Sequence, residues 1–412
     1  MVVRIVDQPD QPSFDQRAGS MFDTSTPKPG QSAPDTPAPW VDSRFPPTEI
    51  AILEVNGQLF TDWEQIWLQF RWTEAFAYFR FIAAERMPTP ADWKLLQFKP
   101  GDSCTVWLAG QRALTGIITD RQVSYDANRH QVQLIGKTWS RWGYKSSVDT
   151  PTGSFDGKTL SQVYTEVMGV YPGEAKIIGV VNPIPFTKLQ NEVGELTWDF
   201  LERISRPRGA VLGSDQFGNY LLIGDHEYRV SAVLKEGENI KACECVISHD
   251  FFHQIFESRG QTAGDDEQSG AAANELKCIL AGQPTLYSKL ITQLDHPVKT
   301  TAEVCDHAHN VAKWHAGTEI TANIVVYGWT YDGVHLWECG QNVYVDSPMA
   351  MLNMTLKIRT ATFEQNNSVG TQTTLELVAP WMLNDRRVFG EPDAPVAPAP
   401  SPEGTPPPNL EE

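Results

Sequence analysis

Several things are scarce in this sequence. No run of about 18 apolar residues occurs, so no membrane-spanning helix is expected. The opening stretch MVVRIVDQPDQPSFDQ lacks an apolar h-region, so no signal peptide is expected either. Cysteine is sparse, with six in 412 residues, at positions 104, 243, 245, 278, 305 and 339. That excludes the disulfide framework of a small secreted domain and predicts free, mostly buried thiols in a reducing compartment. Basic residues are outnumbered, 33 Lys and Arg against 51 Asp and Glu, for a formal charge of −18. Binding to nucleic acid by phosphate neutralisation needs clustered Lys and Arg, so it is not expected here. No GxSxG elbow, Walker loop or Gly-rich dinucleotide fingerprint stands out.

The remaining candidates for chemistry are thin. His249 and His253 in ISHDFFHQIF are four apart, as in a zinc-hydrolase helix, but the base position holds Asp250 instead of Glu. The flanking CECVISHDFFHQIF alternates like a strand, which would hold the two imidazoles too far apart to chelate. Cys243 and Cys245 are spaced too tightly for a zinc knuckle. The best metal candidate is Cys305, His307, His309 and His315 in CDHAHNVAKWH. The same stretch reads as a helix with Val304, Ala308, Val311 and Ala312 inside and the histidines outside, which is the preferred reading. With 51 acids some carboxylates must lie close together, and the sequence does not identify a catalytic pair. The 13 Trp and 11 Tyr sit in strand-like segments, which favours cores and subunit interfaces over a sugar platform. No catalytic, cofactor or metal residue is therefore assigned.

What is present is mostly β. At 412 residues and 41% apolar composition, two or three domains with real cores are expected. IAILEVNGQLF reads as a hairpin turning at Asn56-Gly57. The aromatic density of WEQIWLQFRWTEAFAYFRFIAAER favours strands. From 101 to 139 the chain alternates, with Cys104, Val106 and Leu108 on one face and Thr105 and Trp107 on the other. The middle then changes period. Leu160, Val163, Tyr164, Val167 and Met168 form one helical stripe. Trp198, Leu201 and Ile204 form another, with Thr197 as its cap and Pro207 and Gly209 as its stop. AVLGSDQFGNYLLIG reads as a hairpin turning near Gly218-Asn219.

One module occurs twice. GDSCTVW from Gly101 parallels GQNVYVD from Gly340. LTGIITDRQVSYD from Leu114 parallels MTLKIRTATFEQ from Met354, and VQLIGKTW (Val132 to Trp139) parallels TLELVAPW (Thr374 to Trp381). Shared order and spacing predict two similar antiparallel β-barrel modules around an α+β insert. Three such chains would offer six near-equivalent barrels about one axis, a way to match a six-fold ring to a three-fold object.

These residues, from FKPGDSCTVWLAG through FDGKTLSQV and LTWDFLERISRPRGAVLGSDQFGNYLLIG to YGWTYDGVHLWECGQNVYVDSPM, resemble the baseplate hub family of contractile-tailed phages, Mu-like phages in particular. The fold is shared with the spike hubs of type VI secretion. The resemblance implies a structural homotrimer in the virion tail, assembled in the host cytoplasm. Its two tube-like barrels per chain would form a pseudo-six-fold ring that docks on the hexameric tail tube and carries the trimeric central spike. Tape measure and baseplate wedge proteins are further partners; the sequence departs from the family in its Pro-rich N-terminal arm and C-terminal tail, which would reach wedge or tube-side partners. DNA would pass through the lumen without specific binding, and no cofactor is implied. An acidic lumen would repel phosphate, although the same charges serve equally to solvate an outer surface. The expected organisation is a Pro-rich arm over 1–47, a first barrel over 48–145, an α+β insert over 146–256, a polar loop over 257–275, a mixed helical segment over 276–318, a second barrel over 319–387 and a Pro-rich tail over 388–412. The alternatives are a tail-tip cell-wall hydrolase and a carbohydrate-binding tip module.

Overall fold

The Asn-Gly pair sets the first turn. In the computed structural model Asn56 and Gly57 both take positive φ, 51° and 78°, joining β1 (Ala51–Val55) to β2 (Gln58–Phe60). The structure describes residues 49–380 apart from 62, 73, 75, 85–97, 127–129, 226–228, 251–252, 261–275, 283–286, 295–297 and 299. Both Pro-rich arms and positions 261–275 of the expected polar loop lie outside the described residues. The aromatic-rich segment forms two antiparallel strands, β3 (Gln65–Arg71) and β4 (Tyr78–Ala84). Their alternate residues Ile66, Leu68, Phe79 and Phe81 enter the core. The next three strands run up and down as β5 (Ser103–Leu108), β6 (Gln111–Tyr125) and β7 (His130–Thr138). Cys104, Val106 and Leu108 face the main core. Trp107, on the other face, is also buried, in a separate cluster with Ile52 and Leu59.

The insert follows as α1 (Arg141–Lys145), α2 (Leu160–Met168), β8 (Ala175–Ile178), α3 (Thr197–Ser205), a 3₁₀ turn (Arg206–Arg208), β9 (Val211–Ser214) and β10 (Tyr220–Ile223). All five residues of the expected α2 stripe are buried. Thr159 and Gln162 close a reciprocal capping box at its start. At α3 the cap differs from expectation. Leu196 holds the N-cap position, and Thr197 is already helical, its hydroxyl buried against the Tyr171 hydroxyl at 3.0 Å. A β8-β10-β9 sheet completes a core centred on Tyr144, Tyr164, Phe200 and Tyr220.

The chain then makes β11 (Arg229–Lys235) and β12 (Ile240–Ile247). A small sheet follows, made of β13 (Ile255–Arg259), β14 (Lys277–Ala281) and β15 (Lys289–Gln293). Next comes α4 (Thr301–Gly317), and then β16 (Ile320–Tyr327), β17 (Asn342–Ser347), β18 (Leu352–Asn366) and β19 (Gly370–Val378). Cys278 and Cys305 are joined in a disulfide, Cα to Cα 5.1 Å, which ties β14 to α4. This corrects the expectation of free thiols for that pair, while Cys104, Cys243, Cys245 and Cys339 are free.

The fold is mainly β, with antiparallel pairing dominant, but the two expected barrels do not close among the described residues. The hydrogen bonds instead make one 13-stranded sheet in the order β12-β16-β19-β18-β3-β4-β7-β6-β5-β1-β2, with β17 on β18 and β11 on β17. The physical reason lies in β18. It has 15 residues and β17 has 6, so the far half of that edge is left over. β3 takes it antiparallel, from Thr360 opposite Arg71 to Asn366 opposite Gln65. One apolar core accordingly runs under both modules.

Candidate assembly surface

The side chains considered for chemistry are dispersed. β12 ends at Ile247, so His249 and His253 share no helix, and His253 Nδ1 is bonded to Ser288 Oγ at 2.7 Å. Cys243 and Cys245 lie on one face of β12, and partial burial raises both thiols above their ordinary value, which disfavours the reactive thiolate. The helix expected over the Cys305 to His315 stretch is α4, with Val304, Ala308 and Ala312 buried. Cys305 is consumed by its disulfide. His307 shares a hydrogen bond of 3.0 Å with Ser258, and His309 donates to the Cys305 carbonyl at 2.8 Å. The ring of His315 packs against that of His253, 5.3 Å between centroids. Among the described residues no three metal-ligating side chains converge. A cavity of about 90 Å³ lies between the two modules and the insert, lined by Trp72, Leu221, Trp337 and Phe363 among others. That volume is below the roughly 300–1,000 Å³ of a small-molecule pocket.

The repeat is far more exact in three dimensions than in sequence. β5, β6 and β7 have 6, 15 and 9 residues, and β17, β18 and β19 have the same 6, 15 and 9. Gly101 and Gly340 both take positive φ and both donate their N–H to an isoleucine carbonyl at 2.8 Å, Ile118 and Ile358 respectively. Each isoleucine returns a bond to the residue after its glycine, Asp102 at 3.0 Å and Gln341 at 2.9 Å. A register break follows each one, skipping Thr119 in β6 and Arg359 in β18. The third strand corrects the sequence match by one position. Ile118 faces Gly136 as Ile358 faces Leu377, so Leu377 corresponds to Gly136 and not to Ile135. Burial selects that register, since a slip of one would turn Leu375 and Leu377 off the core.

The two modules differ along one edge. In β18 the residues after the bulge, Thr360 to Phe363, are all buried, because β3 covers them. In β6 the corresponding residues Asp120 to Val123, and Ser124 and Tyr125 after them, are all exposed, and among the described residues no strand lies on that edge. Val123 is 48% exposed there. At the far end of the sheet β12 pairs, among the described residues, with β16 alone, and most of its residues are exposed, Val246 at 57% and Ile247 at 46%. Open strand edges carrying β-branched side chains are pairing surfaces unless they are covered or charged.

Comparison with known proteins places this geometry. Residues 50–138 match the family described as Mu phage baseplate assembly protein GpP-like, N-terminal. The matched segment runs from just before β1 to the end of β7, which is the first copy of the repeat with β1 to β4. No curated protein matches the chain. Among solved structures, a 43 kDa tail protein of prophage MuSo2 from Shewanella oneidensis aligns with TM-score 0.69 and 22% identity over 82% of this chain and 99% of its own. A tail protein from Neisseria meningitidis aligns with TM-score 0.67 and 19% identity over 81% and 98%. An Escherichia coli component of the type VI secretion system aligns with TM-score 0.51 and 10% identity over 80% and 76%. The fold of most of the chain is therefore that of Mu-like prophage tail proteins.

Proposed function

We propose that this chain is a structural component of a phage tail baseplate, a hub that joins the hexameric tail tube to the trimeric central spike. The observation that carries the reading is the matched pair of hairpins within one continuous sheet. Each chain supplies two near-equivalent modules, so three chains supply six around an axis, which suits a six-fold tube on one side and a three-fold spike on the other. The phage baseplate family matched by residues 50–138 supports the same role. On this reading the protein works by geometry rather than by catalysis. Its place is the virion tail, after assembly in the host cytoplasm, with DNA passing its lumen unbound and tape measure and wedge proteins as further partners.

Light scattering on a sizing column tests this directly. The expected mass is near three times 46.0 kDa. A monomer that persists across micromolar concentrations and does not join a tube or spike preparation would remove the hub reading. Peptidoglycan clearing by the purified protein would replace it with a hydrolase.

A further inference from the structure

We propose that the ring closes by strand addition, the exposed half of β6 in one copy pairing antiparallel with β12 of the next, with Val123 opposite Cys245. The inference rests on the reading of the chain as a ring-forming hub, and it identifies the joint. Its basis is a junction the chain already makes within itself. β18 carries β3 on its far half, and β3 is held on its other side by β4. β18 corresponds to β6, and β4 corresponds to β16, because β4 lies on β7 as β16 lies on β19. The strand outside β16 is β12, so β12 occupies in the second module the place of β3 in the first. Among the described residues, one module therefore ends in an uncovered copy of the β18 edge, and the other ends in an uncovered copy of β3.

The register transfers residue by residue. Phe79 and Ala322 are equivalent, each facing the corresponding residue of β7 or β19, Gly136 or Leu377. Leu68 faces Phe79 and Cys245 faces Ala322, so Cys245 stands for Leu68. Phe363 faces Leu68 within the chain, and Val123 stands for Phe363, as Ile118 stands for Ile358. Val123 of one copy thus meets Cys245 of the next, and Arg121 meets Ile247. The pairing would cover Val123, Val246 and Ile247, which stand 48%, 57% and 46% exposed in the single chain. Backbone hydrogen bonds along an added strand supply affinity, and the alternate side chains supply register.

The natural Cys245 provides one half of a cross-link. Directly opposed residues on antiparallel strands have Cβ atoms about 4.5–5.5 Å apart, within reach of a disulfide or a short bis-thiol linker. In full-length protein carrying Val123→Cys and Cys243→Ser, mild oxidation is expected to give reducible covalent dimers and trimers on a denaturing gel, and nothing larger. Adding Cys245→Ser, or moving the new thiol to Gln122→Cys, is expected to abolish them. A second variant, Ile247→Asp, alters a side chain already exposed in the single chain and is expected to turn the trimer into monomer without loss of folded signal. A trimer by light scattering that never cross-links, together with a trimeric Ile247→Asp protein, would overturn this joint while leaving the hub reading intact. A monomeric wild-type protein would overturn both. A ladder running past trimer would show open addition rather than ring closure and would overturn the proposal.

Discussion

A Cβ placed on Gly340 would stand 2.1 Å from Cζ3 of Trp72. The ring has little freedom to move away, since Trp72 is buried and the ammonium of Lys357 lies 5.5 Å from its centroid. Gly340 also sits at φ +86°, whereas its repeat partner Gly101, at φ +106°, has open space where a Cβ would go. The two glycines therefore separate backbone strain from collision. Gly101→Ala is expected to cost about 1–2 kcal/mol, the left-handed penalty alone. Gly340→Ala adds overpacking and is expected to cost more than about 3 kcal/mol. Equilibrium denaturation of both variants checks this, and equal costs would contradict it.

Arg208 and Glu303 form a buried pair, N to O 3.3 Å, with side chains 5% and 8% exposed. The guanidinium also donates to the Ile184 carbonyl and lies 3.5 Å from the centroid of the Phe186 ring. Burial pushes Arg208 down, to about 10, and pushes Glu303 up, and each partner's charge opposes the shift of the other. Removing one partner leaves the other charge buried. Glu303→Ala is accordingly expected to cost about 3–5 kcal/mol. Replacing both partners, Arg208→Met with Glu303→Leu, is expected to cost much less than the sum of the single changes. A double-mutant cycle on unfolding free energy measures the coupling, and additivity would show that the pair holds nothing together.

Much of the fold was legible from local chemistry. The Asn56-Gly57 turn, the α2 stripe and the strand reading of the aromatic segment each depend on residues close in sequence. The repeat was legible as well, because Gly101 and Gly340 mark the same bonded turn. Sheet continuity was not. It depends on contacts such as Gln69 Nε2 to Thr362 Oγ1, 3.0 Å apart in space and 293 positions apart in sequence. A period-2 pattern states which face of a strand is buried but not which strand lies alongside it, so β18 and β6 looked alike although among the described residues only β18 is covered along that edge. The Cys278 to Cys305 link escaped for the same reason. The two thiols sit on a strand and a helix whose approach no local spacing announces. The candidate surface was legible only as two matched modules, and its exposed edges came from the structure.

The disulfide closes 27 positions of chain between β14 and α4. In the chain-entropy account a loop of that size contributes about 3–4 kcal/mol by restricting the unfolded state. Its sulfurs sit in a small core with Leu294, Val298, Val304 and Ala308. Reduction is therefore expected to lower the melting temperature, and Cys278→Ser with Cys305→Ser is expected to melt like the reduced wild type. Intact-mass measurement after thiol alkylation, with and without reductant, should show two further alkylated cysteines on reduction. Full alkylation without reductant in the folded and then denatured protein would show that the bond does not form.

Arg359, the residue skipped where β18 bulges, reaches Glu376 on β19, and Thr360 Oγ1 donates to the same carboxylate at 2.5 Å. Burial pushes the Glu376 carboxyl up, but the bonds from Arg359 and Thr360 and the charges of Arg359 and Arg71 outweigh it and hold the group below its ordinary value. A carboxyl depressed in the folded state stabilises the fold above its unfolded pKa, about 4.3 for glutamate, and loses that contribution as the pH falls through the folded value. Glu376 is partly exposed, so solvent screening reduces the effect to about 1 kcal/mol at neutral pH. Glu376→Gln is expected to melt below the wild type at pH 7, and the gap should narrow as the pH falls from about 4.3 through the lower folded value, where the wild-type carboxyl becomes protonated. Melting curves recorded every half pH unit would decide this. Two parallel curves would mean that the Arg359 and Thr360 bonds do not favour the ionised carboxylate, and that the bulge is held by its backbone alone.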